Sequence, residues 1–156
     1  CNESCDELKS SLRQDEDDST TDGQVEKSLK RENRMNAHQL KEDGNGMFKE
    51  GRYQEASDMY TRALCLCALD ATKERSILHS NRAAARSRLD QKEEAIEDCT
   101  NAIELDPRYM KALLRRAHLY EDTDKLDEAL ADYKSVLELD PRVQEAQQAC
   151  MVLPKD

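Results

Sequence analysis

Two stretches, AAARSRLDQKEEAIEDCTNAIELDP (residues 83–107) and AHLYEDTDKLDEALADYKSVLELDP (residues 117–141), decide how this chain folds. Each opens on a small residue that precedes a second alanine by twelve positions: Ala83 and Ala95, then Ala117 and Ala129. The second alanine is followed at +4 and +7 by residues of buried type, Cys99 and Ala102 in one stretch and Tyr133 and Val136 in the other. Pro107 and Pro141 stand at +12, each after an aspartate. The pattern occurs once more upstream, as Gly44 and Ala56 followed by Tyr60 and Ala63, with Ala68 at the place of the proline. Ala95 and Ala129 are 34 residues apart, whereas Ala56 and Ala95 are 39 apart, so five residues are inserted near Leu69–Lys73. A period of this size marks a repeat of one supersecondary unit.

The spacing has a physical reading. Two antiparallel helices pack closely only where small residues face each other, so Gly or Ala recurs at the contact. Larger residues such as Tyr53, Tyr60, Tyr120, Leu126 and Tyr133 then fill the gaps between successive hairpins. Proline stops the second helix, because it lacks the amide donor and clashes with the preceding turn. The expected helix pairs are 37–50 with 54–67, 74–89 with 92–105, and 108–122 with 126–139. The second helix of the first pair lacks a proline stop, which leaves open a run on into the insertion. A seventh helix over 142–151 carries Val143, Ala146 and Cys150 on one face, with Leu153 just beyond it. A repeat array needs such a cap, because its last hairpin otherwise exposes an apolar face. No β-branched alternating run exists, so no strand is expected. The fold class is all-α: an α-solenoid of three helix hairpins and a C-terminal capping helix.

The ends differ in composition. Residues 1–23 hold eight acids and two bases, a charge of −6, with no aromatic residue. Such a segment cannot bury enough apolar surface to offset its ordering entropy and reads as a disordered acidic tail. Ser19, Thr20 and Thr21 beside acidic residues leave open a phosphorylation segment. Residues 24–36 form a helical lead-in with Lys27, Lys30, Arg31 and Arg34 at helical spacing, either an exposed start to the first helix or a second partner surface. The repeats occupy about 37–70, 76–107 and 110–141, and the cap 142–153.

Composition limits what the chain does. Its 156 residues carry 34 acids and 24 bases, a net charge of −10, which repels nucleic acid and anionic membrane at long range. No apolar run reaches the roughly 20 residues that span a bilayer, so no membrane insertion is expected. The six cysteines lack the paired spacing and nearby histidines of a zinc site, and they read as reduced thiols of a cytoplasmic protein. Cys65-x-Cys67 is read as partly buried packing, with a redox pair as the other possibility. His38, His79 and His118 are scattered one per repeat, without a nucleophile or carboxylate at catalytic spacing. Gly44-x-Gly46 follows no strand and is no phosphate loop. Neither an enzyme nor a cofactor is expected.

The phased pattern over residues 37–153, with the stretches KERSILHSNRAAARSRLD and LRRAHLYEDTDKLDEALADYKSVLELDP, resembles the tetratricopeptide repeat family. The resemblance implies a superhelix whose concave groove is lined by the first helix of each hairpin. On those helices Lys41 and Asn45 are one turn apart, as are Lys111 and Arg115. Asn81 and Arg115 each stand two residues before the small residue of their repeat, at Ala83 and Ala117, and so share a phase. The two basic residues of the last pair are like charges at i,i+4, which costs a helix roughly 0.2–0.5 kcal/mol. Arg108 and Arg116 crowd the same helix, so helix stability does not motivate the cluster.

Set in LKEDGN, SNRAA and YMKALLRR, these five residues resemble the family's dicarboxylate clamp. The resemblance implies binding of the C-terminal Glu-Glu-Val-Asp of the cytosolic 70-kDa and 90-kDa heat-shock chaperones. Lys41, Asn45 and Asn81 would hold the main-chain carboxylate, and Lys111 and Arg115 the aspartate side chain and nearby groups. The chemistry suits the ligand: cations supply charge-assisted donors and the amides directional ones. The competing expectation is a signalling scaffold that binds a folded partner, such as a G protein, through the groove or the outer face.

Overall fold

The computed structural model describes residues 22–153, and every regular element among them is an α-helix. Seven occur in order: α1 Asp22–Lys49, α2 Tyr53–Leu66, α3 Thr72–Arg88, α4 Lys92–Leu105, α5 Met110–Asp122, α6 Leu126–Leu139 and α7 Gln144–Val152. Each packs on the next, and α3 also touches α5 and α1. None of these helices is long and apolar enough to cross a membrane. The acidic segment expected to be disordered lies, up to residue 21, outside the described residues. The basic lead-in is continuous with α1, which begins at Asp22.

The small residues sit where the spacing puts them. Ala56, Ala83, Ala95, Ala117 and Ala129 have no exposed surface. At Gly44 the fit is closest, since a Cβ added there would lie 2.7 Å from the Tyr60 ring. Tyr60 and Tyr133 are each 2% exposed and fill the space beside these contacts. In α7, Ala146 is buried, and Val143, Cys150 and Leu153 pack against the cluster of Tyr133 and Val136.

The turns inside the hairpins repeat as well. Gly51, Asp90 and Asp124 have positive φ of 82°, 60° and 61°. The residue after each donates back to a carbonyl five positions earlier: Arg52 to Met47, Gln91 to Arg86 and Lys125 to Tyr120. These bonds satisfy carbonyls that the helix end leaves open.

The first repeat ends its second helix near the expected 67 without a proline. α2 ends at Leu66 and does not run into the insertion. The reason is Arg75, whose guanidinium donates to the carbonyls of Leu64 at 3.0 Å and Cys67 at 3.2 Å. A side-chain cap thus replaces the proline stop. The extra residues lengthen α3, which has 17 residues against 13 in α5.

A buried ionic staple joins the hairpins. Arg82 grips Asp98 through Nε at 2.9 Å and a terminal nitrogen at 2.7 Å, and its other nitrogen donates to Thr61 at 3.0 Å. Arg116 does the same 34 residues on, with Asp132 at 2.8 and 2.6 Å and Thr100 at 3.2 Å. Each arginine ties its own hairpin to the second helix of the hairpin before it. Arg116 therefore has a structural reason to sit on α5 and is no part of an unexplained basic surplus.

Candidate functional site

The first helices of the three hairpins, α1, α3 and α5, carry all five residues singled out in the sequence. Asn45 stands on α1 beside Gly44, where α2 approaches most closely. Its side-chain oxygen accepts from the Tyr60 hydroxyl at 2.5 Å and from the Asn81 amide of α3 at 3.4 Å. Two donors on one oxygen leave the Asn45 amide hydrogens for another acceptor. Burial, opposed by the charge of Arg115, pushes the Tyr60 phenol up to about 12, so it stays a donor at neutral pH.

Arg115 is tied to the same place from α5. One of its terminal nitrogens donates to the Ser80 carbonyl at 2.8 Å and to the Ser80 hydroxyl at 2.6 Å. Ser80 is buried and directly precedes Asn81. Arg115 keeps further N–H groups, since guanidinium has five donors in a fixed fork. Asn45 and Asn81 thus meet across α1 and α3, and Arg115 joins them from α5 through Ser80, the residue before Asn81.

The lysines stand apart from that network. Lys41 lies one turn before Asn45 and is half-buried; Lys111 lies one turn before Arg115 and is exposed. Among the described residues, no hydrogen bond or ion pair engages either ammonium. On α3, by contrast, His79, Arg82 and Arg86 converge on Asp98. A bound carboxylate at this surface would meet uncompensated cations and amide donors.

Sequence reasoning missed two members of the site. Tyr60 reads in the sequence as a gap-filler, and only its place against Asn45 shows a polar role. Ser80 sits beside Asn81 without any periodic signal. The remaining chemistry is inert packing. Burial pushes the Cys99 thiol up to about 12, which suits a small core residue. Cys65, expected as a reduced thiol, is disulfide-bonded.

Comparison with known proteins agrees with the repeat fold. The tetratricopeptide repeat model matches residues 76–109 and 111–143. The mouse (Mus musculus) DnaJ homolog subfamily C member 7 is 51% identical over 84 residues, 54% of this chain. That match spans only 17% of the relative's own length. Among solved structures, the second TPR domain of human RPAP3, in complex with the HSP70 peptide SGPTIEEVD, is 37% identical with a TM-score of 0.69. That match covers 80% of this chain and 99% of the other. The first TPR of Spaghetti (RPAP3), bound to the HSP90 peptide SRMEEVD, is also 37% identical, with a TM-score of 0.67 over 76% of this chain and 93% of the other. Phased hairpins, buried small-residue contacts and near-complete coverage of these domains lead to one conclusion: the chain belongs to the tetratricopeptide repeat family.

Proposed function

We propose that this chain is an adaptor module that captures the free C-terminal Glu-Glu-Val-Asp of cytosolic 70-kDa and 90-kDa heat-shock chaperones. Lys41, Asn45 and Asn81 hold the terminal carboxylate, and Lys111 and Arg115 the aspartate side chain. The observation that carries this reading is the junction of Asn45, Asn81 and Arg115 across α1, α3 and α5, flanked by two uncompensated lysines. The peptides bound in the two RPAP3 structures both end in EEVD, which supports the ligand class. Within the family, the stretches at 73–90 and 114–141 also resemble tetratricopeptide repeat protein 1, and we read the chain as a relative of that member.

Affinity is expected on the order of micromolar, because a short flexible peptide must be ordered on binding. It should weaken as salt rises from about 50 to about 500 mM, since a partly exposed clamp is screened. Calorimetry with the free-acid peptide, its C-terminal amide and the Lys41→Ala and Lys111→Ala variants tests the reading. Lys111→Ala should cost roughly 1–3 kcal/mol, the range for a lost charged hydrogen bond. Arg115→Glu should abolish binding, with circular dichroism as control because Arg115 also holds Ser80. Equal binding in all cases would rule the clamp out.

A further inference from the structure

A second surface adjoins the clamp at Lys41, between residues 26–41 of α1 and the connection from α2 to α3. It is a groove of about 1280 Å³. Leu29, Ala37, Leu66, Leu69 and Leu78 give it an apolar floor. Lys27, Lys30, Arg31, Arg34 and Lys41 line it against three acids, Glu26, Asp70 and Glu74, so it is locally positive on a chain of charge −10. Among the described residues Lys30 is paired, with Glu26 at 3.2 Å.

The wall itself needs a partner. The start of α1, up to residue 36, is almost wholly exposed, and Ala37 is its first buried residue. A helix of about 15 residues without packing is marginal in water. Val25, Met35 and Leu69 are 62%, 65% and 60% exposed.

We infer that this groove binds the chain's own acidic N-terminal segment, residues 1–21. That segment holds seven acids, Glu3, Asp6, Glu7, Asp15, Glu16, Asp17 and Asp18, against Lys9 and Arg13, a charge of −5 that complements the basic wall. Its apolar residues are few but phased: Cys1, Cys5, Leu8 and Leu12 recur at steps of four, three and four, the spacing of one helical face. The reach is sufficient. The groove follows α1 from residue 26 to residue 41, roughly 22 Å at 1.5 Å per residue, and 21 residues span more than that even as a helix. Alone, the segment cannot offset its ordering entropy. Against a preformed apolar floor, with an effective concentration on the order of millimolar from its tether, that cost falls. The tether also favours this occupant over a second copy of the chain.

Methyl nuclear Overhauser spectroscopy on the full chain, in reducing buffer and at about 50 mM salt, tests the inference. Cross-peaks are expected from Leu8 and Leu12 to Leu29, Leu69 and Leu78. Lys27→Glu, Arg31→Glu and Arg34→Glu together should remove them while helicity persists. Adding Asp15→Lys, Glu16→Lys, Asp17→Lys and Asp18→Lys to that variant should bring them back. Absence of the cross-peaks in the unsubstituted chain overturns the inference. So does their survival in the triple variant. Cross-peaks that appear only between differently labelled molecules overturn it too, in favour of a second copy.

Discussion

Asn45 offers one side-chain oxygen, and two donors reach for it. The Tyr60 hydroxyl and the Asn81 amide fix which way the Asn45 amide faces, so its nitrogen is aimed before any ligand arrives. Preorganisation of this kind shows in affinity more than in stability. Tyr60→Phe keeps the packing and loses the hydroxyl. It should weaken free-acid peptide binding about 2- to 10-fold, the span of one net hydrogen bond, with helicity unchanged in circular dichroism. Unaltered affinity by calorimetry would remove Tyr60 from the site. The neighbouring glycine is a packing residue. Gly44→Ala puts a methyl 2.7 Å from the Tyr60 ring. Overpacking of that sort costs about 1–3 kcal/mol, to be read from urea unfolding. Gly44 and Tyr60 were both legible as packing partners, because close helix contact imposes a period. The hydroxyl's task was not, because hydrogen bonds between side chains 15 residues apart leave no periodic trace.

The hairpin is the element that repeats, and its turn is where the sequence departs from the ideal. Gly51 meets the positive φ of its turn at no steric cost, whereas Asp90 and Asp124 hold the same conformation with a side chain. Left-handed backbone costs an L-residue roughly 1–2 kcal/mol, and glycine gives back about 0.5–1 kcal/mol in chain entropy. Asp124→Gly should therefore raise stability by up to about 1 kcal/mol, and Gly51→Ala should lower it. Thermal unfolding of the two variants in the same direction would contradict the turn geometry. Helix contacts give the opposite expectation, since they tolerate no enlargement. Ala95 and Ala129 are fully buried, so Ala95→Leu or Ala129→Leu should cost about 1–3 kcal/mol, against less than about 0.5 for Lys41→Ala. These contacts were legible from spacing alone. The end of α2 was not: its stop comes from Arg75, which returns from the next helix after the insertion. A cap delivered across a connection has no local signature, whereas a proline does.

Across the whole molecule, the hairpins are joined by apolar surface and by the two arginine staples. The small-residue period made the stack legible. It said nothing of the staples, because Arg82 and Arg116 look like surface cations until Asp98 and Asp132 are seen opposite them. That is why the basic residues of α5 read as a single cluster in the sequence, when Arg116 is structural and Lys111 stands uncompensated. Asn81 and Arg115 could be singled out because each stands two residues before the small packing residue of its repeat. The staples also couple stability to acid. Burial alone would raise the Asp98 carboxyl, but hydrogen bonds from His79 and Arg82 and the charges of Arg82 and Arg86 hold it below the usual carboxylate value. With the folded value depressed, the unfolded chain binds the proton more readily in acid, so stability rises with pH. Asp98's contribution is fully present above the unfolded value, near about 4, and is lost as pH falls through the lower folded value. Urea midpoints measured from about pH 6 down to about pH 2 should fall in that window. Asp98→Asn should be less stable at neutral pH by roughly 3–5 kcal/mol, because it leaves buried arginines without their charge partner. Its acid slope should also be shallower by about one proton. Parallel slopes in the two proteins would place the acid sensitivity in some other carboxylate and leave the staple without a role in it.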